Sequence, residues 1–109
     1  MTVSELQKQL DLQVITLPDP EREVAGGYAG DLLSFVMGSA RSGNAWVTIM
    51  SNVNVVAVAT LCDVSCVVLA SGVTLDPGVK ERAQLQQVNV LSSSLPAFEL
   101  CAAIAQAAT

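Results

Sequence analysis

The chain of 109 residues contains no histidine. Histidine is the side chain that titrates nearest to neutral pH and the commonest metal ligand in proteins, so its absence excludes imidazole-based catalytic triads and dyads. The acidic residues show no spacing typical of metal ligands. We therefore expect a protein that is not an enzyme and that holds neither a metal nor a cofactor.

Charge is also scarce. Charged residues make up 14% of the chain, against roughly 25% in an average soluble protein. There are 5 basic and 10 acidic residues, for a net charge of −5. The basic residues are scattered along the chain instead of forming the basic patch that a nucleic-acid binder needs, so we expect no nucleic-acid partner.

Long apolar runs are missing too. The longest, Val55–Ala70, is shorter than the roughly 20 residues of a membrane span and contains Asp63. The start, Met1–Glu5, lacks the basic and apolar segments of a signal peptide. The cysteines number 3, an odd count that leaves no closed disulfide set: Cys62, Cys66 and Cys101. We expect buried thiols, a cytoplasmic location and no membrane partner.

The residues that are present alternate between helical and extended patterns. Helices are predicted over Thr2–Leu10, Asp31–Ala40, Val55–Leu61, Pro77–Gln87 and Pro96–Ala107, although the valines of the third also suit a strand. Strands are predicted over Leu12–Leu17, Ala45–Met50, Ser65–Ala70 and Val88–Leu91, with a short edge strand at Glu21–Val24 as an option. The alternation predicts one α/β domain over residues 1–109, with three layers: a mostly parallel sheet with helices on both faces.

Several shorter features accompany this pattern. Thr2 and Glu5 have the spacing of a capping box. Gly43 is expected to end the second helix in a left-handed conformation, and the apolar stripe of that helix is expected to consist of Leu32, Leu33, Val36, Met37 and Ala40.

A glycine-rich segment, Gly26–Gly30, is expected to form a turn before the second helix. Such a turn can hold phosphate on its backbone N–H groups, but the lysine and hydroxyl residue of a P-loop are missing, and Asp31 would repel an anion. Asp31 is therefore interpreted either as the cap of the helix or as a group for a ribose hydroxyl or a cation.

Small polar residues follow the other predicted parallel strands, where α/β proteins usually bind their ligands. The same residue types are common helix caps, so both interpretations stay open, and Ser93 and Ser94 are expected to cap the last helix. The candidate ligand-binding residues are Gly27, Tyr28, Gly30, Asp31, Ser51, Asn52, Asn54, Ser71, Gly72, Ser93 and Ser94.

The last predicted helix is apolar on nearly all sides. Its polar stripe is limited to Glu99, Ala103 and Gln106, so a sheet on one side leaves another apolar side to be covered. One buried flank is expected to contain Ala97, Leu100, Cys101 and Ile104. A second chain is expected to cover Phe98, Ala102 and Ala105, which predicts a homodimer.

Four segments resemble small stand-alone DRTGG-domain proteins: Tyr28–Ser34, Met37–Ala40, Ala45–Thr48 and Asn54–Ala59. The resemblance extends from about Val14 to the last helix, where Phe98-Glu99 matches the family's tail. It implies a fold like the N-terminal domain of HPr kinase/phosphorylase without the kinase domain, so kinase activity is not implied.

The family's own motifs are only partly retained. Its Gly-Asp-Arg corresponds to Ser51–Asn54 here, and its Thr-Gly-Gly to Ala70–Gly72, of which Gly72 and loosely Ser71 match. The resemblance implies a regulatory or ligand-sensing module that pairs with itself and takes a nucleotide-like or other small metabolite. The alternative is an adaptor subunit that docks on a larger redox or metabolic enzyme through its last helix.

Overall fold

A five-stranded sheet organises the chain, in the order β1-β5-β4-β3-β2. The computed structural model describes residues 1–108. The strands are β1 (Gln13–Thr16), β2 (Gly27–Ala29), β3 (Ala45–Thr48), β4 (Cys66–Leu69) and β5 (Val90–Ser92). The helices are α1 (Val3–Gln9), α2 (Leu33–Ser39), α3 (Val53–Cys62), α4 (Val79–Leu85) and α5 (Ala97–Ala107). Strands β2 to β5 are parallel and β1 is antiparallel to β5, which confirms the predicted fold class.

The sheet separates two apolar cores. Side chains alternate between the faces of a strand, so Trp46 and Val67 point to one face while Val47 and Val68 point to the other. Helices α2, α3 and α4 cover the first face, because each connects one parallel strand to the next by a crossover of the same kind. Helices α1 and α5 cover the second face. The three predicted layers are present.

The start of α1 is explained by a capping box, which is a local sequence signal. The Thr2 hydroxyl accepts a hydrogen bond from the Glu5 backbone N–H at 3.1 Å, and the Glu5 carboxylate accepts one from the Thr2 backbone N–H at 2.8 Å. This confirms the capping box at the start of α1. The valine-rich segment is helical, and Val55, Val56 and Val58 are buried in the core.

The glycine-rich segment is a strand rather than the predicted turn. Gly27–Ala29 forms β2 and pairs in parallel with Ala45–Val47. A Cβ on Gly27 would lie 3.2 Å from the Ala45 carbonyl oxygen, so a small residue is needed for this close approach. The optional edge strand Glu21–Val24 is reduced to one isolated bridge between Thr2 and Glu23.

Other boundaries differ as well. Helix α2 ends at Ser39, and its C-cap is Ala40 with φ −68°, not Gly43. Gly43 does have a positive φ of 84°, but it belongs to the turn before β3, where its N–H donates to the Asp63 carbonyl oxygen. Helix α4 begins at Val79 after Gly78, not at Pro77.

Of the two remaining predictions, the cap of α5 is wrong and the stripe of α2 is confirmed only in part. Helix α5 has Pro96 at its N-cap position and no side-chain cap, so Ser93 and Ser94 do not cap it. Val36 is buried and Leu33 and Ala40 pack against the same core, as predicted, but Leu32 and Met37 are at least half exposed. Its apolar stripe is therefore narrower than expected.

Candidate functional site

Because β2 to β5 are parallel, the loops that follow them share one end of the sheet, here called the carboxyl edge. These loops are residues 30–32, 49–52, 70–78 and 93–96. Most of the candidate ligand-binding residues lie in them: Gly30, Asp31, Ser51, Asn52, Ser71, Gly72, Ser93 and Ser94. Asn54 lies in the first turn of α3, and Gly27 and Tyr28 lie in β2. The placement at one edge therefore agrees with the sequence analysis.

Asp31 ties the first loop to the second. Its Oδ1 accepts hydrogen bonds from the Thr48 hydroxyl at 2.8 Å and from the Ile49 backbone N–H at 2.9 Å. It does not cap α2, whose N-cap is Leu32 without a side-chain hydrogen bond. The Trp46 indole N–H also donates to the Gly30 carbonyl oxygen at 2.9 Å. These bonds fix the exit of β2 against β3.

The side chains of Ser51 and Asn52 also make hydrogen bonds within the protein. The Ser51 hydroxyl donates to Asp76 Oδ1 at 2.9 Å, and the Asp76 backbone N–H donates to the Ser51 carbonyl oxygen at 3.0 Å. Asn52 Oδ1 accepts from the Asn54 backbone N–H at 2.9 Å, which is an N-cap of α3. For Asn52, the helix-cap interpretation is confirmed.

Ser71 and Gly72 join the last two loops. Their backbone N–H groups donate to the carbonyl oxygens of Leu95 at 2.8 Å and Ser93 at 2.9 Å. Both residues have positive φ angles, 59° and 70°, and a serine rarely adopts such angles. Since both N–H groups are already used, this turn cannot hold a phosphate on them.

A few polar side chains at the carboxyl edge remain without a hydrogen bond. Within residues 1–108 these include Asn54, Ser71 and Ser94, all exposed. Hydroxyl and amide groups can bind a polar ligand, but neither is a base or an activated nucleophile. The edge is therefore suited to binding.

A cavity of about 310 Å³ with a mixed polar and apolar lining opens at the same edge, between β1, β5 and the start of α4. Its polar lining consists of Gln13, Thr74, Asp76, Lys80, Glu81 and Ser92, so one ammonium group lies beside two carboxylates. The volume lies at the lower end of the range for small-molecule sites, about 300–1,000 Å³. No sequence pattern indicated this cavity, because β1 and α4 are brought together only by the antiparallel pairing of β1 with β5.

An apolar groove of about 460 Å³ lies on the other side of the sheet, between β2 and α5. Small side chains of β2 and β3 form its floor, and its wall comes from α5: Gly27, Ala29, Ala45, Val47, Cys101, Ile104, Ala105 and Ala108. The side chain of Tyr28 lies on the opposite face, in register with Trp46. No sequence motif indicated this groove, because its lining consists mostly of small apolar residues, which form no recognisable pattern.

Of the predicted interface residues of α5, Phe98 and Ala102 lie on its outer side and Ala105 borders the apolar groove. Phe98 is 82% exposed, and Ala102 and Ala105 are exposed as well. Two assignments around this helix are corrected: Ala103 is half-buried, and Ala97 is exposed. The outer side of α5 thus remains open to contact.

The cysteines are poor nucleophiles in this fold. Complete burial raises the pKa of Cys66 to about 12, although the Ser65 hydroxyl contact acts against this. Burial also raises the pKa of Cys62 and of Cys101. The thiolate is the reactive form, so all three thiols are largely protonated at neutral pH.

Residues 1–108 contain neither a metal-binding cluster nor a membrane-spanning helix. No group of three or more His, Cys, Asp or Glu side chains is placed to hold a metal ion. No helix in this part of the chain is long and apolar enough to cross a membrane.

Comparison with known proteins shows a similarity of structure. No protein-family model matches the sequence, and no curated protein matches it either. A solved structure does match: the CBS and DRTGG domains of the regulatory region of Clostridium perfringens pyrophosphatase, complexed with its activator, diadenosine tetraphosphate. The two share a fold. The TM-score is 0.72 over 96% of this chain, at 14% sequence identity, and this chain spans 46% of the other.

Proposed function

We propose that this chain is a non-catalytic regulatory domain of the DRTGG type that binds a nucleotide-like or other small metabolite at the carboxyl edge. The cavity beside Lys80 is the observation that carries the proposal. The structural neighbour supports it, since that protein is a regulatory region solved with a nucleotide activator. In this proposal residues 1–109 form a single domain that works in the cytoplasm.

Parts of the cavity lining suit such a ligand, although Glu81 places a second carboxylate beside Lys80. The Lys80 ammonium group can pair with a phosphate, and the Asp76 carboxylate can accept hydrogen bonds from ribose hydroxyls. Ile15 and Leu75 provide apolar surface for a base. Because Asp76 is hydrogen-bonded to Ser51, a ligand that contacts Asp76 also acts on the loop after β3. Through this hydrogen bond, ligand binding in the cavity can change the conformation of another loop of the carboxyl edge.

Isothermal titration calorimetry tests this proposal with diadenosine tetraphosphate, AMP and ATP as probes. We expect saturable binding of at least one of them, and a loss of affinity of tenfold or more in Lys80→Ala, because the phosphate loses a charge-assisted hydrogen bond. Arg82→Ala is the matched control: Arg82 is an exposed cation of the same helix that lies outside the cavity. No heat with any probe, or equal losses in the two variants, would contradict the proposed site.

The exposed stripe of α5 supports a second element of the proposal, self-association. We propose that the domain is a homodimer in which Phe98, Ala102 and Ala105 lie at the interface, since an 82% exposed phenylalanine is costly to leave in water. Sedimentation equilibrium at micromolar concentration separates this from the alternative. A monomer would favour the adaptor role, in which the same stripe docks on a larger enzyme.

A further inference from the structure

Strand β2, three residues long, is an unpaired edge of the sheet. It is the last strand of the sheet, and no other strand of residues 1–108 pairs with its outer side. Proteins usually protect such edges with lysine, proline or a covering element. Residues 24–30 contain neither a charged residue nor a proline. The edge is therefore open to pairing with another strand.

The hydrogen bonds to β3 show which backbone groups of this edge are available. The Gly26 carbonyl oxygen accepts from the Ala45 N–H at 3.0 Å, and the Gly30 N–H donates to the Val47 carbonyl oxygen at 3.1 Å. In a parallel ladder alternate residues bond to the same neighbour, so Tyr28 also faces β3. The N–H and carbonyl groups of Gly27 and Ala29 therefore point away from the sheet.

We propose that a second copy of this chain occupies this edge, with β2 pairing antiparallel to the partner's β2 about a two-fold axis at Tyr28. This inference rests on the proposed homodimer and specifies how it forms. Gly27 of each copy exchanges both hydrogen bonds with the partner's Ala29, which satisfies all the outward-pointing groups of the two residues. The two sheets become one sheet of ten strands, since each copy contributes five.

Charge supports a second copy as the occupant. In this register Asp31 of one copy lies opposite Ala25 of the other. Ala25 lies close to Arg41, because its carbonyl oxygen accepts from Asn44 Nδ2 at 2.8 Å and Asn44 Oδ1 accepts from the Arg41 backbone N–H at 2.9 Å. Asp31 and Arg41 are both exposed. The two-fold axis thus brings the segment of each copy that carries Asp31 near the segment of the other that carries Arg41, twice over.

The position of α5 fits the same arrangement. It packs against both β2 and β3. Strands are spaced by about 4.8 Å, so a helix above the boundary between β2 and β3 lies about 10 Å from its two-fold mate in the extended sheet. Helices in contact pack with their axes about 8–10 Å apart. The groove and the exposed side of α5 would therefore become covered in the same dimer.

The oligomeric state and one edge variant provide the first test. The wild-type chain is expected to sediment at twice its mass of 11.3 kDa. Ala29→Pro removes the outward N–H and leaves the bonds to β3 intact, so it should weaken the dimer tenfold or more while the circular dichroism spectrum stays unchanged. Val14→Lys is the control. Val14 is an exposed residue of β1, at the opposite edge of the sheet, so this substitution should leave the dimer intact.

Disulfide trapping gives an independent readout of the register. In a chain with Cys62→Ser and Cys101→Ser, Tyr28→Cys should form an intermolecular disulfide on mild oxidation. Residues directly opposite in a non-hydrogen-bonded antiparallel pair have Cα atoms about 4.5 Å apart, within disulfide range. Val14→Cys should remain unlinked.

The possible outcomes distinguish failure of the β2 pairing from failure of the proposed homodimer. A dimer that Tyr28→Cys does not trap and Ala29→Pro does not weaken overturns the β2 pairing but leaves the homodimer in place. A wild-type monomer overturns both the pairing and the homodimer. The titrations of the Lys80 cavity test ligand binding separately, whichever of these results is found.

Discussion

Asp63 connects three segments at the amino-terminal end of the parallel strands. It follows α3 in a left-handed conformation with φ 56°. Its carboxylate accepts from the Ser42 hydroxyl at 2.5 Å and from Arg22 at 3.1 Å, and Arg22 also donates to the Asp63 carbonyl oxygen at 2.9 Å. The hydrogen bonds from Ser42 and then Arg22 lower the pKa of the Asp63 carboxyl below its usual value.

This lowered pKa predicts a loss of stability in acid. A carboxyl group whose pKa is lower in the folded chain contributes stability above its unfolded pKa, near 3.9, and loses it as the pH falls through the folded value. Arg22→Ala should therefore reduce the slope of unfolding free energy against pH below about pH 5. The effect should be at most about 1 kcal/mol, because the pair is largely exposed.

Urea denaturation between pH 2 and pH 7 measures this slope. Arg82→Ala is the control, because Arg82 has no ion pair with any residue of the described chain. A slope equally reduced in both variants would show that net charge, not the Asp63 contact, governs the acid response.

Residue roles were predictable only where both partners are close in sequence. Thr2 and Glu5 are three residues apart, and their capping box was visible as a pattern. Asp31 bonds to Thr48 and Ile49, at separations of 17 and 18 residues. The sequence indicated a cap for Asp31 because a cap needs only local neighbours.

At the scale of the element, the start of α3 depends on one side chain. Asn52 accepts a hydrogen bond from the Asn54 backbone N–H, and Asn54 has no corresponding bond from its own side chain. Asn52→Ala should destabilise the protein by about 1 kcal/mol, since the helix loses its N-cap.

Asn54→Ala is the matched variant for this prediction, two positions further on. It should change the midpoint of thermal unfolding only slightly, because an exposed alanine is a good helix former. Equal destabilisation by both substitutions would mean that the cap contributes little to α3.

Strands β3 and β4 were predicted and β2 was not, for a physical reason. All residues of β3 and β4 are buried, and their apolar runs are typical of parallel strands covered on both faces. Strand β2 contains one residue with strong strand preference, Tyr28, between Gly27 and Ala29. Its extended form follows from pairing with β3, which local sequence does not reveal.

At the scale of the whole molecule, the two apolar cores lie on opposite faces of the same sheet, and each includes side chains of its strands. Trp46 is fully buried in the core beneath α2, α3 and α4, and Leu6 is fully buried in the core beneath α1 and α5. Because the sheet belongs to both cores, we expect the chain to unfold as one cooperative unit.

Leu6→Ala tests this expectation, with the single tryptophan as the probe. The substitution should cost about 2–5 kcal/mol and shift the tryptophan fluorescence transition although Leu6 lies across the sheet from Trp46. The far-ultraviolet circular dichroism transition should shift by the same amount. A fluorescence midpoint that stays in place would show that the two layers unfold independently.

The overall architecture was predictable because the order of elements and the handedness of crossovers restrict the topology. The same argument placed Ser51, Ser71 and Ser93 at one edge of the sheet. It did not reveal the cavity beside Lys80, because that depends on β1 turning back antiparallel against β5.

The pairing of β1 with β5 also sets the order in which the chain can fold. Thr16 donates to the Val88 carbonyl oxygen and accepts from the Val90 N–H, at separations of 72 and 74 residues. Asn89 similarly accepts from the Asp19 N–H and donates to the Asp19 carbonyl oxygen. During synthesis β1 must therefore stay unpaired until β5 has left the ribosome. We expect β1 to join the sheet last, after the loop-closure entropy of that long separation has been overcome.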